Sequence, residues 1–174
     1  YKVPAAILLS KIDLQDPAPN QVQVKSVVNG ICMFEVWKYK SGEFNPVDIP
    51  GHEGVGIVTK AGKDVKWAKE GDYVSINQWS DYSNIDASQS VKLHCTPDQA
   101  KIHLVEPLSC AVNAWAYTSI YPGDHVIVFG AGYMGLLLIQ LLGRSPLASL
   151  VVVDAKDENL ARAKLYGATA TINI

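Results

Sequence analysis

Two apolar runs, His125-Val126-Ile127-Val128-Phe129 and Leu150-Val151-Val152-Val153, bracket a glycine loop and a helix-forming stretch. Continuous apolar runs of this length are expected of strands buried on both faces, the kind found in parallel sheets. Parallel neighbours need a crossover between them, and a helix is the usual one. Tyr133 to Leu142 fits that helix, with Gly143 at its C-terminal end. Asp157 to Tyr166, closed by Gly167, reads as a second helix, and Thr169 to Ile174 begins a third strand. Strand, helix, strand, helix, strand is the pattern of an α/β sheet.

The loop itself, Gly130-Ala131-Gly132-Tyr133-Met134-Gly135, fits G-x-G-x-x-G. The pattern alone is weak, but here a buried strand precedes it, a helix follows, and the next strand ends in Asp154, 24 residues after Gly130. That is the context of a Rossmann dinucleotide site. Gly130 permits the tight turn, Gly132 lets the backbone approach a pyrophosphate, and Gly135 lets helix and strand pack closely. Tyr133 and Met134 open the helix, whose N-terminus offers N–H groups and positive dipole to phosphates. Asp154 is expected to accept from ribose hydroxyls and to repel the extra phosphate of NADP, so NAD is the expected cofactor. Lys156 reads as a solvated surface charge.

The first hundred residues are different in kind. Val22 to Val28, Val55 to Val58 and Tyr73-Val74-Ser75-Ile76 read as short strands, separated by turn signals such as Ala61-Gly62-Lys63 and Gly71-Asp72. Asp81 to Leu93 is expected to hold one more, and the whole to form a small barrel or sandwich. A helix is expected from about Leu108 to Tyr117, with Pro107 at or near its start. A net charge of -2 gives no electrostatic reason to expect nucleic acid or an anionic membrane surface. No stretch approaches the ~20 apolar residues of a membrane span. The opening run Ala5-Ala6-Ile7-Leu8-Leu9 lacks a long apolar region and a cleavage site. An odd, sparse set of three cysteines argues against a disulfide framework and for a reducing compartment, and with no Cys-x-x-Cys pair a four-cysteine structural zinc site cannot be built. A cytoplasmic location is expected.

Cys32, His52, Glu53 and Glu106 each stand beside turn residues. Taken singly, Cys32 fits core packing and His52 a satisfied polar group. As a set they supply the ligand types of a catalytic zinc, which takes three protein ligands and keeps one position open.

Several segments carry a resemblance: Gly30-Ile31-Cys32, Ile49 to Gly56 (IPGHEGVG), Gly71 to Val74, Val105 to Ala114 (VEPLSCAVNA), Pro122-Gly123-Asp124, Val126 to Gly135 (VIVFGAGYMG) and Val152-Val153-Asp154. In this order they resemble the zinc-dependent medium-chain dehydrogenases, most closely the sorbitol/polyol dehydrogenase branch. The resemblance implies a mixed fold, in which a β-rich GroES-like barrel domain (1–118) precedes a partial Rossmann domain with a doubly wound parallel sheet (119–174). It implies Cys32 and His52 as zinc ligands, Glu106 as the third protein group, and Glu53 as a glutamate that exchanges with water at the metal. The implied activity is hydride transfer between a secondary alcohol, polyol or sugar-like, and NAD. A homo-oligomeric parent protein is expected.

The chain also departs from the family pattern. The family follows its zinc cysteine with Gly, Ser or Thr, and Asp; here the run is Cys32-Met33-Phe34-Glu35. Phe34 replaces the hydroxyl that relays the substrate proton, which implies a reshaped, more apolar pocket or another relay such as a water or Ser41. Trp37 stands where polyol enzymes often have histidine, and Phe34, Trp37 and Trp79 are candidate pocket walls. The four-cysteine structural-zinc lobe is missing. Only the first half of a Rossmann sheet is present, which reads as a fragment. Two alternatives therefore stand beside the dehydrogenase: bound NAD used for elimination or epimerisation without net redox, and a truncated, non-catalytic nucleotide-binding chain. His94, His103 and Cys95 are expected in structural or surface roles and Cys110 in the core.

Overall fold

The computed structural model describes residues 7–45 and 48–174. Ala5 and Ala6 of the opening apolar run lie outside them. Contacts divide the chain into two compact units, Tyr1–Glu106 and Pro107–Ile174.

The first unit is built on strands β1 (Gln21–Asn29), β2 (Gly54–Ala61), β3 (Tyr73–Ile76), β4 (Tyr82–Asp86) and β5 (Lys92–Leu93). They form one antiparallel sheet in the order β4-β1-β2-β3-β5. The segment expected to hold one strand after residue 81 holds two short ones, β4 and β5, joined by a 3-10 turn at Ala87–Gln89. Alternation decides which face is buried: Val22 and Val24 of β1 turn inward to join Val58, Val74, Ile76 and Ile85 in a common core. The β1–β2 ladder is irregular at two places, between Gln23 and Val24 and between Ser26 and Val28. Helix α1 (Met33–Ser41), absent from the sequence expectation, follows β1 directly. Glu35 is its one buried residue, so its burial pattern is the reverse of an amphipathic helix.

Helix α2 (Val105–Tyr117) starts three residues earlier than expected, with Pro107 inside its first turn, where the missing N–H costs nothing. The change of pattern placed at 118 and the contact division after Glu106 differ because the later part of α2 packs with the second unit. There the Trp115 indole N–H donates to Ser145 at 3.3 Å.

The second unit follows expectation closely: β6 (His125–Phe129), α3 (Tyr133–Leu142), β7 (Ser149–Asp154), α4 (Asp157–Leu165) and β8 (Ala170–Asn173). The three strands are parallel, in the order β6-β7-β8. Val128, Leu150 and Val152 pack against Ile139 and Leu142 of α3 and Leu160 and Ala163 of α4. One expectation is corrected. β6 is not buried on both faces: Val128 is buried, but Ile127 is 58% and Phe129 78% exposed. β6 pairs only with β7 among the described residues, so its apolar sequence exceeds what this sheet covers. No helix among the described residues is long and apolar enough to cross a membrane.

Candidate functional site

The end of the β1–β2 ladder builds the first cluster. Beyond its last paired residues, Asn29 and Gly54, the Gly30 N–H donates to the Glu53 carbonyl at 2.6 Å, holding the two chains together for one more step. A Cβ on Gly30 would run into the Glu53 carboxylate. The absence of a side chain there is what lets Glu53 fold back. Cys32 then caps α1 from one chain while His52 and Glu53 arrive from the other. The ligand atoms of Cys32, His52 and Glu53 all lie within 4.8 Å of one another. Among the described residues no other group of three or more His, Cys, Asp and Glu is so placed.

Each member is oriented. Glu35, 5% exposed in the first turn of α1, meets His52 Nδ1 at 2.5 Å. With Nδ1 engaged, Nε2 is the nitrogen facing the cluster, 3.9 Å from a Glu53 oxygen. A carboxylate behind a ligating imidazole is the usual support of a metal site. Burial pushes the Cys32 thiol up; a backbone N–H from Phe34 opposes this, and Glu53 and Glu35 then add to the rise. Burial and the neighbouring carboxylates disfavour the Cys32 thiolate, and a cation at the centre of the cluster would reverse that preference. Thiol, imidazole and carboxylate are the donor types that zinc takes, so the residues fit that metal.

Glu106 is not brought into this set. It is half-buried in the first turn of α2. Cys110, expected in the core, is exposed: α2 buries only the narrow stripe of Pro107 and Ala111, and Cys110 falls beside it. Phe34 is half-exposed and stands edge-on to the His52 ring, centroids 6.0 Å apart. The Ser41 hydroxyl donates to the Lys38 carbonyl at 3.3 Å and is turned to its own helix. Glu35 is the residue that sequence reasoning passed over. Its signal was available, since it occupies the place of the family's Asp three residues after the cysteine.

The glycine loop forms the second cluster. Gly130 adopts φ +93°, open to glycine at little cost. A Cβ on Gly135 would collide with the Gly130 carbonyl, which explains the close helix–strand approach. A Cβ on Gly132 would meet nothing within 4 Å, so open space lies at the start of α3, beside Tyr133 and Met134. That space, next to a helix N-terminus, fits a pyrophosphate. Asp154 closes β7 and accepts from Ala131 N–H at 2.7 Å, Lys156 N–H at 2.8 Å and the Asn159 amide at 3.2 Å. The Ala131 N–H, then that of Lys156, holds its carboxyl below the usual carboxylate range.

The alcohol dehydrogenase GroES-like domain family matches residues 18–131. An uncharacterized zinc-type alcohol dehydrogenase-like protein of Escherichia coli is 26% identical over 99% of this chain and 61% of its own length. Human sorbitol dehydrogenase is 28% identical over 98% of this chain and 58% of its own. The chain thus spans about three-fifths of the length of these curated relatives. Among solved structures, an Escherichia coli oxidoreductase/dehydrogenase of unknown specificity superposes with a TM-score of 0.83 at 27% identity, covering 98% of this chain and 60% of that one. Escherichia coli quinone oxidoreductase, complexed with NADPH, gives 0.77 at 26% identity, covering 94% and 53%. The chain belongs to the alcohol dehydrogenase GroES-like domain family, and within it to the zinc-type medium-chain dehydrogenases of the sorbitol dehydrogenase-like branch, at low identity.

Proposed function

We propose that this chain carries the metal-binding part and the adenosine-binding part of an oxidoreductase. In this reading the enzyme transfers a hydride between a secondary alcohol, polyol or sugar-like, and NAD. The observation that carries the reading is the Cys32, His52 and Glu53 cluster with Glu35 behind His52. Zinc bound there would supply a Lewis acid for an alcohol or carbonyl oxygen. Cys32 and His52 are its proposed ligands, Glu53 the exchangeable one and Glu106 a further group. Phe34 carries no proton and Ser41 is engaged, so a water at the half-exposed mouth takes the proton instead.

At the other cluster, Gly130, Gly132, Tyr133, Met134 and Gly135 receive the pyrophosphate. Asp154 takes the adenosine ribose. A carboxylate has about four acceptor positions, and three donors already reach Asp154. It therefore holds one ribose hydroxyl rather than two. Its charge disfavours a 2′-phosphate, which supports NAD over NADP. The resemblance also supports a homo-oligomeric, cytoplasmic parent protein with a small-molecule substrate.

The test pairs metal content with turnover. The purified full protein should carry zinc and reduce NAD with a polyol, and Cys32→Ser should lose both. A metal-free Cys32→Ser protein with full activity would overturn the reading. Phe34 favours a second reading, in which bound NAD serves elimination or epimerisation without net redox. Steady release of NADH from an alcohol substrate excludes it. Nucleotide binding with no turnover on any alcohol would leave a non-catalytic binding chain.

A further inference from the structure

Trp79 touches both arms of the cluster without belonging to it. Its backbone N–H donates to the Pro50 carbonyl at 2.7 Å, two residues before His52. Its indole N–H donates to the Gly30 carbonyl at 3.0 Å, two residues before Cys32. The indole also lies flush against Gly51. A Cβ there would run into its Cδ1, and would stand 2.7 Å from Nε1 and 2.9 Å from Cγ. Gly51 has φ +106°, so both its backbone and its missing side chain suit this contact. Trp79 is itself anchored, because the next carbonyl, that of Ser80, accepts from the β1 hydroxyl of Ser26 at 2.5 Å, and Asp81 accepts from the Ser26 N–H at 2.9 Å. With the Gly30–Glu53 backbone bond, the three chain segments are tied to one another pairwise.

We propose that Trp79 is a positioning residue for the metal centre, fixing the distance between the Cys32 arm and the His52-Glu53 arm. The proposal rests on the reading of that cluster as a metal site. A residue that only supported the fold would change stability but leave the folded protein's metal affinity untouched. One that sets ligand spacing changes affinity and ligand geometry even where the fold is intact.

The experiment measures zinc affinity of the full chain by competition with a chromogenic chelator, and the visible spectrum of the cobalt-substituted protein. Trp79→Phe keeps the ring and removes the N–H; Trp79→Ala removes both. Trp79→Phe should bind zinc about 10-fold more weakly, and Trp79→Ala up to about 100-fold, the range seen when outer supports of a metal site are removed. Both should shift the cobalt bands while circular dichroism stays unchanged. Where Trp79→Ala fails to fold, Trp79→Phe decides. Wild-type zinc affinity and cobalt spectrum in folded Trp79→Phe overturn the proposal alone. Absence of stoichiometric metal binding by the wild-type chain overturns it together with the reading of the site.

Discussion

The two clusters are assembled in opposite ways. The candidate metal centre draws Cys32 and Glu35 from one segment and His52 and Glu53 from another, with Trp79 bonded to the first from a third, and its parts meet because β1 and β2 pair. The nucleotide loop is nearly continuous in sequence: its contacts run between one turn and the end of the next strand. The metal centre hides a carboxylate, Glu35, whereas Asp154 stays half-exposed and already bonded. Reactivity in the first site is thus a matter of long-range placement, and in the second of local backbone shape.

Glu35→Ala attacks the first kind of construction. It should loosen metal by about 10- to 100-fold without touching a ligand, as chelator competition would record. Wild-type affinity in this variant would put His52 orientation under some other control. Gly135→Ala attacks the second kind. Its Cβ meets the rigid Gly130 carbonyl, so urea denaturation should show a loss of about 1–3 kcal/mol. Gly132→Ala is the matched control. Its Cβ enters open space, so stability should stay within about 0.5 kcal/mol while dinucleotide affinity falls. Equal stability losses in the two variants would mean that the open space at Gly132 is closed in solution.

Asp154→Ala should move the NAD-to-NADP affinity ratio about tenfold toward NADP, equivalent to about 1.4 kcal/mol. Isothermal titration with each cofactor measures it. The smallest effect expected is on acid stability. The carboxyl of Asp154 is held below its ordinary value. Its contribution is therefore fully present above about pH 4 and is lost as pH falls through the depressed value. Asp154→Asn should flatten that acid limb in urea midpoints taken across pH, and leave the rest of the profile unchanged.

What could be read from the sequence follows the same division. β6, α3, β7, α4 and β8 were legible to within one or two residues, because periodicity, caps and glycine turns are local signals. α1 was not legible, because its buried residue is Glu35 and its Phe34 and Trp37 face solvent. Trp79 could be named only as a candidate pocket wall, since the carbonyl its indole N–H meets lies 49 residues away. Cys32, His52 and Glu53 could be named through family likeness, but their approach depends on pairing that no single segment encodes. Nor did the apolar run of β6 reveal that one of its faces would stand open.

The irregularity in β1 between Ser26 and Val28 acts as a spacer. Ser26 faces Gly56 and Val28 faces Val55, so Val27 is an extra residue with no opposite number. It bends the strand ahead of everything that follows on it. Deleting Val27 would leave Ser26 and Val28 as neighbours opposite Gly56 and Val55, so the ladder would run on regularly, the strand would lose the bend and added twist of a bulge, and the direction in which Cys32 leaves it would change. The address of the thiol is therefore written five residues upstream, in an exposed valine with no chemistry of its own.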